Sequence, residues 1–329
     1  MSKKKSILVT GGAGYIGSHF VNKTKDYYNI IVVDNFRESR NNIINNKNIK
    51  YIDLDIEKKD ELTAVFKNNI IDIVVHFAAL ASVPDSLTKP KEYYDTNLIG
   101  GLNILNTMVE TGVKKIIFSS SASVYGEPTT EIIKEDHPKN PTNPYGYSKL
   151  VFENILKDYN KAYGINSISL RYFCAAGCDE SFKIGEYHNP ETHVIPGIIE
   201  TILGKRKEFY VYGNNYPTPD GTGIRDYIHV NDLASAHILT VEYLSCDKSI
   251  CDSFNLGINK GFSVIELIES AEKISGKKLI YKTKERRPGD PSRLIADSTK
   301  AQQFLNWKPQ YLQIEEIISS AYNFFRSKI

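Results

Sequence analysis

Short apolar runs alternate with longer segments of helical periodicity through the first half of the chain. The apolar runs are residues 6–10, 30–35, 71–79, 114–121 and 167–173, and helical patterns cover 15–28 and 144–163. Strands that are apolar at consecutive positions are typical of a parallel sheet that helices bury on both faces. The alternation therefore predicts an α/β fold with a doubly wound parallel sheet of the Rossmann type.

The second half of the chain is less regular. Pro, Gly, Asn and His are frequent in residues 185–225; a strand-like run at 252–257 and helical patterns at 263–275 and 314–326 follow. We see no stretch long enough to be a linker between independent domains. We therefore predict a dinucleotide-binding domain over residues 1–175 and a smaller α/β lobe over 176–329, with a ligand cleft between them.

Charge and cysteine content narrow the possible partners. The 329 residues include 41 basic and 39 acidic side chains, and this balance argues against nucleic acid or an anionic membrane as the main partner. No apolar stretch approaches the ~18–20 residues of a membrane span, and the N-terminus has no signal-peptide pattern. Because Cys174, Cys178, Cys246 and Cys251 form no CxxC pair, we expect free thiols, a cytoplasmic location and no metal site.

A glycine-rich turn follows the first apolar run. In "VTGGAGYIGSH", Gly11, Gly14 and Gly17 stand three residues apart, between a strand and a helix. Residues without Cβ let the backbone approach a pyrophosphate at the helix N-terminus, where free N–H groups favour an anion. In this context the spacing predicts dinucleotide binding.

An acidic residue ends the second predicted strand. Asp34 stands 17 residues after Gly17, where a carboxylate can accept hydrogen bonds from an adenosine ribose and would repel a 2′-phosphate. This favours NAD over NADP. Arg37 and Arg40 are close in sequence and argue the other way, so the preference stays open at this point.

The stretch "NPYGYSK" places a phenol one helical turn from an ammonium. If a helix begins near residue 144, Tyr145 and Lys149 lie at i, i+4 and share a face, whereas Tyr147 points elsewhere. An adjacent ammonium stabilises a phenolate, so Tyr145 could take a proton from a substrate hydroxyl. Ser119, Ser120 and Ser121 end a predicted parallel strand, where α/β sheets place their sites, and can hold that hydroxyl.

These motifs together resemble the extended branch of the short-chain dehydrogenase/reductase superfamily, and within it the UDP-glucose 4-epimerases. Further segments carry the resemblance, which covers nearly the whole chain. They are "VVDN", "HFAAL", "YYDTNLIG", "FSSSASVYG", "LRYF", "HNPETH", "YPTPDGTGIRDYIHV", "NLG" and "RRPGD". The resemblance implies an isomerase that uses bound NAD to invert C4 of a UDP-hexose through a 4-ketose. It also implies a homodimer and a return of residues 225–258 to the first domain.

The resemblance assigns roles to individual residues. Ser121, Tyr145 and Lys149 form the implied catalytic set. The residues implied to line NAD are Gly11, Gly14, Tyr15, Ile16, Gly17, Asp34, Asn35, Asp55, Ile56, Phe77, Ala78, Asn97, Tyr145, Lys149 and Phe173. Those implied to contact the UDP-sugar are Ser121, Tyr145, Cys174, His193, Val211, Tyr212, Arg225, Arg287, Asp290 and Leu294.

Roles within the substrate set differ. Arg225 and Arg287 would grip the diphosphate, since a guanidinium fork suits phosphate. Asp290 would hold the uridine ribose, and Val211 with Tyr212 would flank the uracil. Leu294, four residues after that Asp, would close the pocket beside the sugar C2 and exclude N-acetylated sugars.

Two positions depart from the family pattern. Cys174 replaces a common Asn and Ala81 a Lys found in some members, so one substrate and one cofactor contact are in doubt.

The rival functions differ from this one at particular residues. A dehydratase usually has Asp-Glu where Ala122 and Ser123 stand, which argues against that reaction. A non-catalytic NAD-sensing regulator of the same fold should have lost Tyr145 or Lys149. Epimerases acting on UDP-N-acetylglucosamine or on UDP-pentoses, and a nucleotide-sugar decarboxylase of the same fold, remain alternatives.

Overall fold

A seven-stranded parallel sheet forms the centre of the first domain. The computed structural model describes residues 4–37, 43–188, 191–245 and 249–328; Arg40 and Cys246 lie outside them. The strands of the described residues are β1 (Ser6–Thr10), β2 (Asn29–Asp34), β3 (Ile49–Asp53), β4 (Ile73–His76), β5 (Lys115–Ser121), β6 (Asn166–Tyr172), β7 (Cys174–Ala176), β8 (Phe209–Tyr212), β9 (Ile224–Arg225), β10 (Tyr227–His229), β11 (Cys251–Leu256), β12 (Phe262–Ser263), β13 (Tyr281–Lys284) and β14 (Arg293–Leu294).

Helices connect most of these strands. The α-helices are α1 (Tyr15–Thr24), α2 (Lys59–Lys67), α3 (Val83–Thr88), α4 (Pro90–Tyr94), α5 (Gly101–Thr111), α6 (Pro144–Tyr163), α7 (Val194–Ile202), α8 (Val230–Tyr243), α9 (Val264–Ser275), α10 (Thr299–Leu305) and α11 (Ile314–Arg326). A π-helical turn spans Asp95–Gly100 and a 3₁₀ turn spans Ala122–Val124. Among the described residues, no helix is long and apolar enough to cross a bilayer.

The order of strands in the sheet places a cleft at its centre. Neighbouring strands run β11-β6-β5-β4-β1-β2-β3, and every pairing in this sheet is parallel. From β1 the chain moves outward to β2 and β3, then returns to β4 on the other side. The carboxyl ends of β1 and β4 are therefore the switch point at which doubly wound folds bind ligands.

Apolar layers cover both faces of this sheet. Phe20, Leu233 and Trp307 belong to the layer on one side, and Phe66 and Phe152 to the layer on the other. The strands are buried from both sides, as their uninterrupted apolar runs require. The predicted Rossmann-type fold is confirmed.

A second apolar core lies in the C-terminal lobe. Helices α7, α9 and α11 pack together there with β8. Small sheets link this lobe to the first domain, because β7 pairs with β10, and β9 pairs with both β12 and β14. We expect the ligand cleft where these two parts of the chain meet.

Two later segments return to the first domain. Strand β11 pairs with β6 at the edge of the large sheet, and α8 packs against α1. The resemblance implied such a return for residues 225–258. Ala301, Leu305 and Trp307 also pack in the first core, although the sequence pattern placed them in the lobe.

A buried ion pair attaches α6 to the sheet. The Nε and Nη2 of Arg171 on β6 donate to the two carboxylate oxygens of Glu153 on α6, at 2.9 and 2.7 Å. Ser120 on β5 donates to the same carboxylate at 2.6 Å, and Arg171 Nη1 donates to the Tyr125 hydroxyl at 2.7 Å. Both charged side chains are almost fully buried, so each depends on the other for its charge compensation.

Glu153→Gln should therefore destabilise the fold strongly. The variant leaves the Arg171 charge buried without its partner, and we expect a loss of about 3–5 kcal/mol in the free energy of unfolding. Chemical denaturation followed by circular dichroism measures this loss. Glu61→Gln removes an exposed partner of Lys58 and is the matched control, with no measurable change expected. Equal stability of the two variants would contradict the role given to the pair.

Candidate active site

The start of α6 orients the two tyrosines differently. Asn143 caps the helix, and its side-chain oxygen accepts from the Gly146 N–H at 2.9 Å. A Cβ on Gly146 would lie 2.5 Å from the Ser123 carbonyl oxygen, so this glycine lets α6 approach the end of β5. Tyr145 is half-buried on the inner face, whereas Tyr147 is 48% exposed.

Lys149 lies one turn further along the same inner face. Its ammonium nitrogen donates to the Ser119 carbonyl at 2.7 Å and lies 5.7 Å from the centroid of the Tyr145 ring. Burial lowers the pKa of Lys149 to about 7, and the charge of Glu153 opposes this effect. The ammonium is thus close to the phenol and able to exchange its proton near neutral pH.

Burial dominates the pKa of Tyr145 in the protein alone. It raises this pKa, and a hydrogen bond with the Ser121 side chain opposes the rise. The Ser121 hydroxyl also accepts from the Ser123 N–H at 3.1 Å, which fixes it at the end of β5. The sequence argument expected the ammonium to favour a phenolate; in this geometry Ser121 is the group that does so, against desolvation.

The turn between β1 and α1 contains Gly11 and Gly14, Gly17 follows in the first turn of α1, and we call these three residues the glycine cradle. Gly11 has φ +69°, and a Cβ there would lie 2.5 Å from the Ala78 nitrogen. A Cβ on Gly17 would lie 2.3 Å from the Gly11 carbonyl oxygen. At Gly14 the nearest atom would be 3.2 Å away, and this residue begins α1 without any side-chain cap. Packing thus explains Gly11 and Gly17, whereas Gly14 fits close approach by an anionic ligand.

Asp34 supports this cradle from the end of β2. Its two oxygens accept from the Ala13 N–H at 3.0 Å and the Phe36 N–H at 2.9 Å. Burial raises the pKa of Asp34, and these two bonds oppose the rise. Arg37 pairs instead with Asp55, at 3.3 Å between Nη2 and Oδ2. Arg37 was one of the two residues that could have bound the 2′-phosphate of NADP, and its guanidinium is paired with a carboxylate.

Asn97 lies in the π-helical turn and connects two parts of the site. Its side chain accepts from the Leu80 N–H at 2.9 Å and donates to the Ser148 hydroxyl at 3.0 Å. It thereby ties the loop that contains Phe77 and Ala78 to α6. Such irregular helical turns are frequent at functional sites.

The remaining residues expected at the cofactor lie around this cradle. Tyr15 and Ile16 form the first turn of α1, and the Tyr15 hydroxyl donates to the Gly177 carbonyl at 2.6 Å. Asn35 donates to Asp55 at 2.9 Å, beside the buried Ile56.

Arginines and tyrosines stack on the side of the lobe. The guanidinium carbon of Arg287 lies 4.0 Å from the centroid of the Tyr212 ring. Arg225 donates to the Ile224 carbonyl at 2.9 Å. Val211 alternates with Tyr212 along β8, and its side chain is 2% exposed in the lobe core. The side chain of Val211 therefore points into the lobe core, on the opposite face of β8 from Tyr212.

The Cys174 thiol interacts electrostatically with side chains that are expected to bind the phosphates and the ribose. Burial raises the pKa of its thiol to about 11; Arg225 opposes the rise, and Asp226 and Asp290 add to it. The structure thus brings residues 174, 225 and 290 into one electrostatic neighbourhood, although they are far apart in sequence.

Sequence reasoning missed the residue that anchors this neighbourhood. Asp226 is fully buried and accepts from the backbone N–H groups of Ile258, Asn259 and Ala296, at 2.8, 3.0 and 3.2 Å. Its position next to Arg225, inside the specific stretch "DGTGIRDYIHV", was the available signal. It holds three chain segments together beside Arg225.

Two expected sugar contacts lie in different surroundings. Leu294 is partly buried and packs against a small apolar cluster that includes Ala122 and Phe173. His193 begins α7, with its Nδ1 2.8 Å from Glu186 Oε1 and 3.3 Å from Glu191 Oε1. Burial alone would lower the pKa of His193, but the two carboxylates outweigh it and raise the pKa to about 10.

Comparison with known proteins assigns this geometry to a family. The model of the NAD dependent epimerase/dehydratase family matches residues 7–257. A UDP-glucose 4-epimerase of Streptococcus mutans serotype c is 44% identical over 320 residues, which cover 96% of this chain and 96% of the relative.

Solved structures agree with this assignment. UDP-glucose 4-epimerase from Bifidobacterium longum, in complex with NAD⁺ and UDP, has a TM-score of 0.93 at 40% identity, with 98% of each chain covered. UDP-N-acetylglucosamine 4-epimerase from Methanobrevibacter ruminantium, in complex with UDP-N-acetylmuramic acid, has a TM-score of 0.87 at 31% identity, with 99% of this chain and 100% of that chain covered.

Lys149→Met should change how stability depends on pH. Burial lowers the pKa of Lys149 to about 7 in the native state, against 10.5 as the ordinary value. Between these values the unfolded chain binds more protons, so the unmodified protein loses stability as the pH falls, by roughly 1.4 kcal/mol per pH unit. The stability of the variant relative to the unmodified protein should rise with that slope from pH 10 down to about pH 7.

Urea unfolding of cofactor-free protein at several pH values measures this slope. Lys161→Met, on the exposed end of the same helix, is the matched control and should run parallel to the unmodified protein. A difference that does not vary with pH for Lys149→Met would contradict a buried, readily neutralised amine.

Proposed function

This chain belongs to the NAD dependent epimerase/dehydratase family, and from that premise we propose that it interconverts UDP-glucose and UDP-galactose by reversible epimerisation at C4. The observation that carries the proposal is the grouping of Ser121, Tyr145 and Lys149 at the end of β5, beside the glycine cradle. The protein is an isomerase whose relatives of the same length catalyse this reaction. Assay of purified protein with UDP-galactose, with identification of the product sugar, tests it.

The cradle has the features that NAD requires. Gly14 offers an uncapped helix N-terminus without a side chain, and Asp34 lies at the end of the neighbouring strand where an adenosine ribose binds. NAD, when bound, supplies a reversible hydride acceptor for C4 of the sugar. The pairing of Arg37 with Asp55 further favours NAD over NADP.

Proton transfer falls to Tyr145. We assign to its phenol oxygen the proton of the sugar 4-hydroxyl, which it takes in one half-reaction and returns in the other. Ser121 holds that hydroxyl and the phenol in line, and Lys149 supplies positive charge 5.7 Å from the phenol ring centroid. Because burial raises the pKa of Tyr145, the nearby positive charges are needed for it to act as a base at neutral pH.

The nucleotide is held more firmly than the sugar in this proposal. Arg225 and Arg287 bind the diphosphate and Asp290 the uridine ribose, while Tyr212 and the main chain of Val211 flank the uracil. Strong contacts to UDP with weak contacts to the hexose let a 4-ketose turn over without leaving the cleft. Inversion at C4 requires this turn.

A dehydratase is not supported by the residues beside Ser121. Ala122 is buried and apolar in the 3₁₀ turn, so the acid expected there for water elimination is absent. A UDP-N-acetylglucosamine 4-epimerase remains the second candidate, because a structure of that activity is similar to this chain at 31% identity. We take Leu294 as the residue that separates the two substrates, because its side chain is bulky and packs against the apolar cluster that begins directly after Ser121.

We further infer a cytoplasmic location, because the cysteines of the described residues are free thiols. We also infer a homodimer formed through α6. Helices α3 and α4 and the π-helical turn pack against α6. Together these elements expose five large apolar side chains, Leu87, Tyr94, Ile99, Tyr147 and Val151, and exposed apolar patches mark protein–protein interaction surfaces.

Tyr145→Phe should reduce epimerisation at least about a hundredfold, because only the proton acceptor is lost. The amounts of bound NAD and the affinity for UDP should not change. Tyr147→Phe removes the equivalent hydroxyl from the exposed face and should leave turnover intact. Conversion of UDP-galactose by the two variants decides the matter, and the reverse order of effects would refute the assignment.

Leu294→Ser should enlarge the sugar pocket. The unmodified protein should prefer UDP-glucose over UDP-N-acetylglucosamine by about 10–200-fold in kcat/KM, and the variant should narrow that ratio. Leu312→Ser, at an exposed position, is the matched control and should keep the original ratio. Equal kcat/KM values for both substrates in the unmodified protein would show that Leu294 is not the gate.

Val151→Asp should convert the dimer to a monomer. A carboxylate on the exposed apolar face of α6 would be buried without a partner in the interface. Analytical ultracentrifugation should then show half the molecular mass of the unmodified protein. Ile280→Asp, at the most exposed apolar position of the lobe, should stay dimeric. A monomeric unmodified protein would end the homodimer proposal.

A further inference from the structure

Four side chains with metal-binding chemistry converge in the loop before α7. They are Glu186, His188, Glu191 and His193, and one ligand atom from each lies within 4.8 Å of all the others. Residues 189 and 190, between them, lie outside the described part of the chain. The lack of CxxC pairs led us to expect no metal site, but two imidazoles and two carboxylates are a different and sufficient ligand set.

The spacing of the ligand atoms matches a tetrahedral site. Metal–ligand distances of about 2.0–2.1 Å place neighbouring ligands of a tetrahedron about 3.3 Å apart. His193 Nδ1 lies 2.8 Å from Glu186 Oε1 and 3.3 Å from Glu191 Oε1. His188 Nδ1 lies 3.4 Å from Glu191 Oε2 and 3.7 Å from Glu186 Oε1. These four distances bracket the tetrahedral value.

The His188 Nδ1 atom gives an independent indication that the four groups can bind a cation. It is shielded from solvent and makes no hydrogen bond, although two carboxylate oxygens lie at the distances just given. A buried polar atom of this kind normally has a partner. A cation between the four groups would accept the lone pair of each imidazole and neutralise two largely buried carboxylates.

We propose that Glu186, His188, Glu191 and His193 form a structural site for a divalent transition-metal ion of the zinc class. Imidazole and carboxylate ligands in a four-coordinate arrangement favour Zn²⁺, whereas Mg²⁺ and Ca²⁺ prefer oxygen ligands at higher coordination number. The four protein groups fill a tetrahedron, as in closed structural sites. The ion therefore stabilises this loop and takes no part in proton transfer.

The site orders the loop that leads into α7. One end of the loop follows Gly185, which bridges to Cys178, and the other end is His193, the residue that caps α7. The Gly177 carbonyl, one residue before that bridge, accepts the Tyr15 hydroxyl of α1. Coordination through Nδ1 leaves Nε2 of His193 free for the sugar contact, a consequence that rests on the proposed function.

Titration with Co²⁺ tests the site directly, because tetrahedral Co²⁺ absorbs strongly in visible light. Tag-free protein should be stripped with a chelator, dialysed and titrated with Co²⁺, and then with Zn²⁺ in competition. We expect one ion per chain, intense tetrahedral bands that Zn²⁺ abolishes, and a higher Tm with Zn²⁺ than without. Absence of the bands, or octahedral bands only, would overturn the proposal whatever the activity of the enzyme.

Variants locate the ion. Glu191→Gln and His188→Asn should each weaken Zn²⁺ binding at least about tenfold and remove the Tm increase, whereas Glu269→Gln on the exposed face of α9 should bind as the unmodified protein does. Unchanged stoichiometry and affinity in both site variants would place the ion elsewhere and refute the assignment. Epimerase activity without metal binding would refute the metal site alone, and metal binding without epimerase activity would refute the proposed reaction alone.

Discussion

The buried pair of Arg171 and Glu153 determines where the reactive side chains stand. A guanidinium and a carboxylate that are both shielded from water can persist only if each finds the other in good geometry. Here the bidentate contact joins the strand β6 to the helix α6. Ser120 adds a contact from β5, and Tyr125 passes the network to Asn255 on β11 at 2.7 Å. The face of α6 that carries Tyr145 and Lys149 is therefore held against the ends of three strands.

This anchoring makes two unfavourable burials possible. Burial lowers the pKa of Lys149 and raises that of Tyr145, so it disfavours the charged form of each group, the ammonium and the phenolate. Such side chains would move to solvent if the helix could turn. The attachment of α6 one turn further along, at Glu153, prevents this, and the charge of Glu153 also favours the ammonium of Lys149. The buried pair thus keeps Tyr145 and Lys149 in the shielded environment in which we propose that proton transfer occurs.

Local patterns predicted much of this arrangement. The strand runs at 6–10 and 114–121 and the helix over 144–163 correspond closely to β1, β5 and α6, because uninterrupted apolar runs and a Pro-initiated helix carry their own signals. The network around Arg171 could not be predicted, since nothing local shows which carboxylate reaches a guanidinium 18 residues away.

Other misses share the same physical origin. Trp307 packs in the first core although it is distant from it in sequence, because burial of a large side chain depends on long-range contacts. Likewise, His188 and His193 converge on two carboxylates through the three-dimensional arrangement of their side chains, and the spacing of these residues in the sequence does not specify that arrangement.

The contacts proposed for the phosphates and for the sugar differ in strength, and this difference bears on how inversion at C4 can occur. At the proposed nucleotide end, Asp226 accepts three backbone hydrogen bonds and thereby fixes the main chain next to Arg225, the residue to which we assign the phosphate contact. At the proposed sugar end, Leu294 packs against the apolar cluster that includes Ala122 and Phe173, and its side chain can offer a sugar only dispersion contacts. Apolar contacts have little directional preference, so the two faces of a flat ketose would differ little in energy against such a wall. Strong polar contacts around the ring would instead favour one face and slow the turn. A cleft that is rigid at the phosphates and undirected at the sugar is therefore what a reversible inversion at a single carbon needs.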